Sequence, residues 1–193
     1  MIKAIIFDFF DVVRNDTYNA WLKSRGYVRT GEFHKVTQRL DAGKITFDEF
    51  MQTLTRLSGE EMTLEKLEAN AKVNYEVIDI INELRKKYRV ALLSNAPSAF
   101  FRDILKKNNL EKYFDEIVVS SEVGHIKPSS EIFAIMLNRL GFDASETLFT
   151  DDNIHNIHGA EKAGIKGIHF TSAAKLRQDL KELGVQITVP KSI

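Results

Sequence analysis

Ile5-Ile6-Phe7-Asp8-Phe9-Phe10-Asp11-Val12-Val13 is the stretch on which the reading of the fold turns. The apolar run from Ile2 to Phe7, stopping on Asp8, reads as a buried strand that carries one carboxylate to its C-terminal tip. In open α/β sheets that tip is where ligands bind. Two phenylalanines follow, then a second acid, Asp11, and apolar residues resume at once. An acid in such surroundings needs a partner or a chemical role. A single Asp after a strand ordinarily does no more than close the loop, so the rest of the chain has to decide.

Composition narrows the field first. The 193 residues are 44% apolar with only 3 Pro and 10 Gly, which suits one domain, or one domain with a modest insertion. Lys plus Arg and Asp plus Glu are equal at 27 each, so there is no surplus charge to draw nucleic acid or an anionic membrane. Small substrates are the better expectation. Cysteine is absent, which removes disulfides, thiolate metal sites and cysteine nucleophiles together. The apolar start is too short for a signal peptide and no later run approaches membrane-spanning length, so a soluble cytoplasmic protein is expected. The oligomeric state is not legible.

After Val13 the pattern changes to helical periods. Asp16 to Arg25, around Trp21 and Leu22, and Glu32 to Leu40, with Phe33, Val36 and Leu40 on one face, suit short helices. Asp41-Ala42-Gly43-Lys44 reads as a turn. Thr46-Phe47-Asp48-Glu49 is a capping-box signature, after which Phe50, Met51, Leu54 and Leu57 keep helical spacing until Ser58-Gly59. Thr63 to Ala71 is a fourth candidate helix. With no convincing strand, residues 14–73 read as an all-helical insertion.

From Asn74 helices and strands alternate. An amphipathic helix on Val77, Ile78, Ile81, Leu84 and Tyr88 leads to the strand Val90 to Leu93, which ends in Ser94-Asn95. A helix from Pro97 to Lys107 precedes the strand Glu116 to Val119, ending in Ser120-Ser121. The loop His125-Ile126-Lys127-Pro128 opens a helix from Ser129 to Leu140, closed by Gly141. The strand Thr147 to Thr150 ends in Asp151-Asp152, and a helix from Asn153 to Ala163 follows. A strand Ile165 to Phe170 and a helix Ala173 to Leu183 complete the series. Repeated β-α units with short loops predict an α/β fold, a parallel sheet with helices on both faces.

Parallel strands bring their C-terminal tips to one edge, so Asp8, Ser94-Asn95 and Asp151-Asp152 converge, with Lys127 close by. Carboxylates this close repel by ~4 kcal/mol per pair at an effective dielectric near 20, more than one Lys offsets. A divalent cation does so, and oxygen ligands without Cys favour Mg²⁺ over zinc. Ser94, Lys127 and the Asn95 backbone N–H form a plausible phosphate cradle. Asp8 is then the nucleophile of an aspartyl-phosphate.

These four segments, in order and at matching intervals, resemble the motifs of the haloacid dehalogenase-like (HAD) hydrolase superfamily, and the insertion resembles its small helical C1-type cap. The resemblance implies a Rossmann-like core of residues 1–13 and 74–193 and a cap of residues 14–73. It implies Asp8 as nucleophile, Ser94 as phosphate-binding hydroxyl, Lys127 as the group neutralising both, and Asp152 on Mg²⁺. Asp151 corresponds to a second acid reaching the metal directly or through water, and Asn156 to a bracing polar residue. Phosphatases of this superfamily carry a second Asp, the acid–base group, where this chain has Phe10; the backbone carbonyl there still serves the metal. A low phosphatase rate on a small phosphorylated substrate follows, since an acid–base group is worth ~10²–10⁴ in rate. A catalytically silent binder of a phosphorylated ligand or partner is the second reading. The third is a 2-haloacid dehalogenase, which carries an aromatic residue at the position of Phe10 but lacks the paired acids. Whether Asp11 compensates for Phe10 stays open.

The remaining candidates have plainer readings. His155 and His158, three apart, suit surface or packing roles better than metal ligation without a third ligand. His125 lies in a loop beside Lys127. Trp21, Phe33, Phe47, Phe50 and Met51 read as the core of the helical segment, with one or two facing substrate. Arg14 and Asn15 read as a solvated hinge.

Overall fold

In the computed structural model, which describes residues 1–188, the opening apolar run forms β1 (Ala4–Phe7) with all four residues buried. The last five positions of the expected 74–193 segment lie outside the described residues. β2 (Arg89–Ser94), β3 (Glu116–Val119), β4 (Thr147–Asp151) and β5 (Lys166–His169) join β1 in one parallel sheet of order β3-β2-β1-β4-β5. β1 is therefore central. Phe7 pairs with Leu92 on one side and Thr150 on the other, which sets Asp8 level with Leu93 and Asp151 at the C-terminal edge.

Alternation along the strands decides which residue meets which layer. Ile5, Phe7, Val90 and Leu92 face a cluster built with α5 (Tyr75–Leu84), α6 (Ser98–Lys107) and α10 (Ala173–Glu182). Ile6, Ala91, Leu93 and Phe149 face the opposite layer, from α8 (Ser130–Leu140) and α9 (Ile154–Lys162). Burial on both faces is the reason these strands read as unbroken apolar runs.

Between β1 and α5 lie α1 (Thr17–Ser24), α2 (Gly31–Asp41), α3 (Phe47–Ser58) and α4 (Leu64–Glu68). They enclose an apolar cluster of their own, with Trp21, Leu22, Val36, Leu40, Phe50, Leu54, Met62 and Leu67 buried. The expected capping box at Thr46 and Glu49 opens α3, and Gly59, at φ 73°, ends it.

Two local expectations need correction. The fourth helix does not reach Ala71, because the returning chain is held instead by the outgoing one. The Asn15 side chain donates to the Asn70 carbonyl at 2.9 Å and accepts the Lys72 N–H at 2.6 Å, and Asn74 N–H donates to the Val13 carbonyl at 2.8 Å. Nor is Arg14 a solvated hinge. Its side chain is 2% exposed and ion-paired with Glu68, whose other oxygen takes the Thr17 hydroxyl at 3.0 Å. A helical turn, α7 (Ser120–Val123), was not foreseen after β3. No helix among the described residues is long and apolar enough to cross a membrane.

Candidate active site

The loop after β1 is built around one carbonyl. Phe9 accepts the N–H groups of Val12, Val13 and Arg14 at 3.4, 2.8 and 3.0 Å, which folds the chain back immediately beyond Asp8. Phe9 is fully buried, edge-on to Phe101 with centroids 4.9 Å apart, and Phe10 leans on both rings from the cavity side. No group among the described residues donates to the Phe10 carbonyl. Asp11 adopts a left-handed φ of 58°, and its carboxylate accepts the Asp16 N–H at 2.8 Å.

Lys127 is the hub. Its ammonium donates to Asp8 at 2.6 Å, to Asp151 at 2.7 Å and to the Leu93 carbonyl at 3.0 Å, which uses all three protons. The backbone is fixed as well. Asn95 accepts the Lys127 N–H at 2.8 Å and donates to its carbonyl at 3.0 Å, so the expected cradle residue also clamps the lysine loop. Asp151 is saturated: beside Lys127 it accepts the Asn153 N–H at 2.8 Å and the Asn156 amide on both oxygens, at 3.1 and 3.0 Å.

Asp8, Asp151 and Asp152 each offer an oxygen, all within 4.8 Å of one another. One ammonium does not balance three carboxylates. Burial, followed by repulsion from Asp151, pushes the Asp8 carboxyl well above its usual range, although Lys127 pulls it down. Burial, then Asp151 and Asp11, raise Asp152 to about 6. Burial works against the Lys127 charge, yet Asp151 and Asp8 hold the ammonium above its ordinary value.

A cavity of about 1000 Å³ opens over this edge. Its floor includes Asp8, Phe10, Asn95, Lys127, Asp152 and Asn156, and its roof carries Asp16, Tyr18, Arg29, His34, Asp41, Phe47 and Phe50 from the helical segment. Ser94 and Asp151 do not line it. The Ser94 hydroxyl is fully buried and takes no partner among the described residues. Of the residues expected in the helical core, Phe47 and Phe50 reach the cavity, while Trp21, Phe33 and Met51 pack within the helices. His155 lines it; His158 and His125 do not.

Among the cavity residues that sequence reasoning missed are Asp16, Arg29, Asp41 and His169. Asp16 caps α1 through the Asn19 N–H at 2.9 Å and pairs with Arg29 at 3.0 Å. His169 places Nε2 2.8 Å from the Asp152 carbonyl oxygen. The only sequence signal for Asp41 was its place at a turn.

A family model described as a haloacid dehalogenase-like hydrolase matches residues 2–164. The chain is 34% identical to a D-ribitol-5-phosphate phosphatase of Bacteroides thetaiotaomicron, over 93% of this chain and 97% of that protein. A HAD family enzyme of the same organism, crystallised as a magnesium complex, superposes with TM-score 0.71 at 25% identity, covering 88% of this chain and 93% of that one. A HAD-like hydrolase of Porphyromonas gingivalis superposes with TM-score 0.77 at 24% identity, over 97% and 100% of the two chains.

Proposed function

We propose, since the chain belongs to the haloacid dehalogenase-like hydrolases, that it is a Mg²⁺-dependent phosphatase of a small phosphorylated molecule, working through an aspartyl-phosphate on Asp8. The observation that carries this reading is the bridge from Lys127 to Asp8 and Asp151, which fixes the nucleophile in the floor of the cavity that the helical segment overhangs. An Asp8 oxygen attacks phosphorus as the bond to the leaving oxygen breaks, and water then cleaves the acyl-phosphate to regenerate the carboxylate. Lys127 and the Asn95 backbone N–H, both on residues that line the cavity, bind the phosphate oxygens, while the Ser94 hydroxyl is buried just beneath that edge without a partner among the described residues.

The residues fit Mg²⁺, because all the donors are oxygen, the three acids exceed the local positive charge, and the Phe10 carbonyl is unclaimed. Asp8, Asp152 and that carbonyl would hold it. Asp151 would act through water, both its oxygens being occupied. When bound, the ion supplies positive charge to the phosphoryl oxygens. Asn156 braces Asp151. Residues 14–73 act as a cap on the 1–13 and 74–193 core, excluding water from the chemistry.

The substrate is a small polyol or sugar phosphate. The relative named for ribitol phosphate supports this choice, as does a roof bearing Asp16, Arg29, His34 and Gln38, which suit hydroxyl groups. A screen of such esters with and without Mg²⁺ tests the reading against Asp8→Asn. Wild-type rates no higher than the variant's would sink it. Phe10, in place of an acid, favours the second reading, a binder of a phosphorylated ligand without turnover. The dehalogenase reading is weaker, because the Asp151 and Asp152 pair serves a cation rather than a halide.

A further inference from the structure

The cavity holds acids other than those of the cluster, and one is differently placed. Asp41 is the last residue of α2. Its backbone carbonyl accepts the Ser120 hydroxyl at 2.5 Å, and the same oxygen of Ser120 accepts the Ala96 N–H at 2.9 Å, so the end of α2 is anchored where β2 and β3 finish. Two residues on, Gly43 sits at φ 68°, and a Cβ there would lie 2.9 Å from the Ser121 carbonyl oxygen. Only glycine allows that backbone approach. Asp41 is thus held against the C-terminal edge of the sheet from two directions, and it lines the same cavity as Asp8 and Lys127.

The other acids that line the cavity outside the cluster are committed. Asp11 caps the Asp16 N–H, Asp16 is paired with Arg29, and Glu68 is shared by Arg14 and Thr17. Asp41 is 9% exposed, and among the described residues no donor reaches its carboxyl. We infer that Asp41 is the acid–base residue of the reaction, supplying from the helical segment the group that Phe10 has removed from the loop after β1. The inference rests on the phosphatase reading.

In the first step an Asp8 oxygen bonds to phosphorus, the bond from phosphorus to the ester oxygen breaks, and the Asp41 carboxylic acid gives that oxygen its proton. The alcohol leaves and Asp41 is left ionised. In the second step water loses a proton to Asp41 as its oxygen attacks the phosphorus, the bond to Asp8 breaks, and phosphate departs. Both carboxyls are then as they began.

The charges around Asp41 suit this cycle. Burial is the largest influence and raises it to about 7, with Arg29 and Lys127 pulling it down and Asp16 pushing it up. Tyr18 of α1 and His34 of α2 also border the cavity. A carboxyl titrating near neutrality is available in both forms, which acid–base catalysis requires.

The test compares two esters in Asp41→Asn: 4-nitrophenyl phosphate, whose leaving group needs no proton, and D-ribitol 5-phosphate, whose leaving alkoxide does. Loss of the acid is expected to slow the alkyl ester ~10²-fold or more. The aryl ester keeps its first step, read as a burst of nitrophenolate equal to the enzyme, followed by slow turnover. Asp41→Glu, which keeps a carboxyl, is expected to retain the wild-type preference between esters. Equal losses on both esters without a burst, or no loss on either, would overturn the assignment while leaving the phosphatase standing. Wild type matching Asp8→Asn on every ester would overturn both.

Discussion

Replacing Gly159 by alanine reaches the lysine hub without altering any polar side chain. Gly159 lies inside α9, and a Cβ there would stand 2.6 Å from both the Cβ and the carbonyl oxygen of Pro128, and 3.1 Å from its Cα. Neither a proline ring nor a backbone carbonyl can swing aside. The loop cannot easily back away, because Asn95 grips Lys127 at both N–H and carbonyl and the Ser129 N–H closes a turn on Ile126. Overpacking of this kind costs about 1–3 kcal/mol, and rigid contacts put this case near the top. Losing one hydrogen bond of the clamp adds about 1 kcal/mol. Alanine recovers about 1 kcal/mol through helix propensity. The net expectation is a loss of about 2–3 kcal/mol, which lowers the melting temperature by roughly 5–10 °C for a chain of this size. Turnover should fall further than stability implies. On the proposed role of Lys127, a displacement of about 1 Å there costs on the order of 10²-fold. Urea denaturation followed by circular dichroism gives the first quantity, and steady-state hydrolysis of a phosphate ester by the folded variant gives the second. A Gly159→Ala protein as stable as wild type, with unchanged kcat, would refute the view that α9 and the Lys127 loop are locked together.

Four further outcomes are expected. Mg²⁺ at a hundred times its dissociation constant should stabilise the protein by about 2.7 kcal/mol, a rise in urea midpoint that Asp152→Asn should abolish. Arg14→Met strips Glu68 of its buried partner and should cost roughly 2–3 kcal/mol in the same assay, the scale of a hydrogen bond to a charged group. Asp41 binds a proton more tightly folded than unfolded, so its contribution to stability is full at low pH and is lost as pH rises from about 4 to about 7. The stability of wild type relative to Asp41→Asn, measured by urea at each pH, should therefore fall through that window and level off above it. Phe10→Asp in the Asp41→Asn background should return at least about tenfold of alkyl-ester turnover by placing an acid on the loop again, since Phe10 already lines the cavity.

The parallel sheet was legible because both its faces are covered, leaving strands as plain apolar runs that each end on a polar group. Ile5 and Phe7 against Ile6 needed no further information to alternate between layers. That Asp8, Asn95 and Asp152 meet was legible for the same reason, since a parallel sheet puts strand tips at one edge whatever the separation in sequence, whereas Lys127 comes in from the loop before α8 and Asn156 from the first turn of α9. The helical segment was harder. Its helices follow from periodicity and the Thr46 cap, but which residues overhang the site depends on how the segment docks, and that is fixed by Ser120 and Gly43. Asp41 and Gly43 read as an ordinary turn because the partner that gives the turn its meaning is nearly eighty residues away. Arg14 misled for a similar reason. Its counterion, Glu68, follows only from the fold.

The loop after β1 explains where the missing acid can and cannot be replaced. Asp11 follows Phe10 directly, yet its left-handed backbone and its bond to the Asp16 N–H aim the carboxylate at the start of α1. Moving it to the leaving oxygen would unmake the cap and the turn on Phe9 together, so proximity in sequence does not make Asp11 a substitute. An acid carried on α2 has a different consequence from one carried on the loop. A loop acid stays beside Asp8 whether or not the helical segment is docked, whereas Asp41 reaches the edge only through the Ser120 contact and the close approach at Gly43. Undocked, the site holds a nucleophile and its lysine but nothing to protonate an alkoxide. If Asp41 is the acid, the contacts that hold the helical segment over the cavity also complete the catalytic set, so that closure and chemistry become one condition.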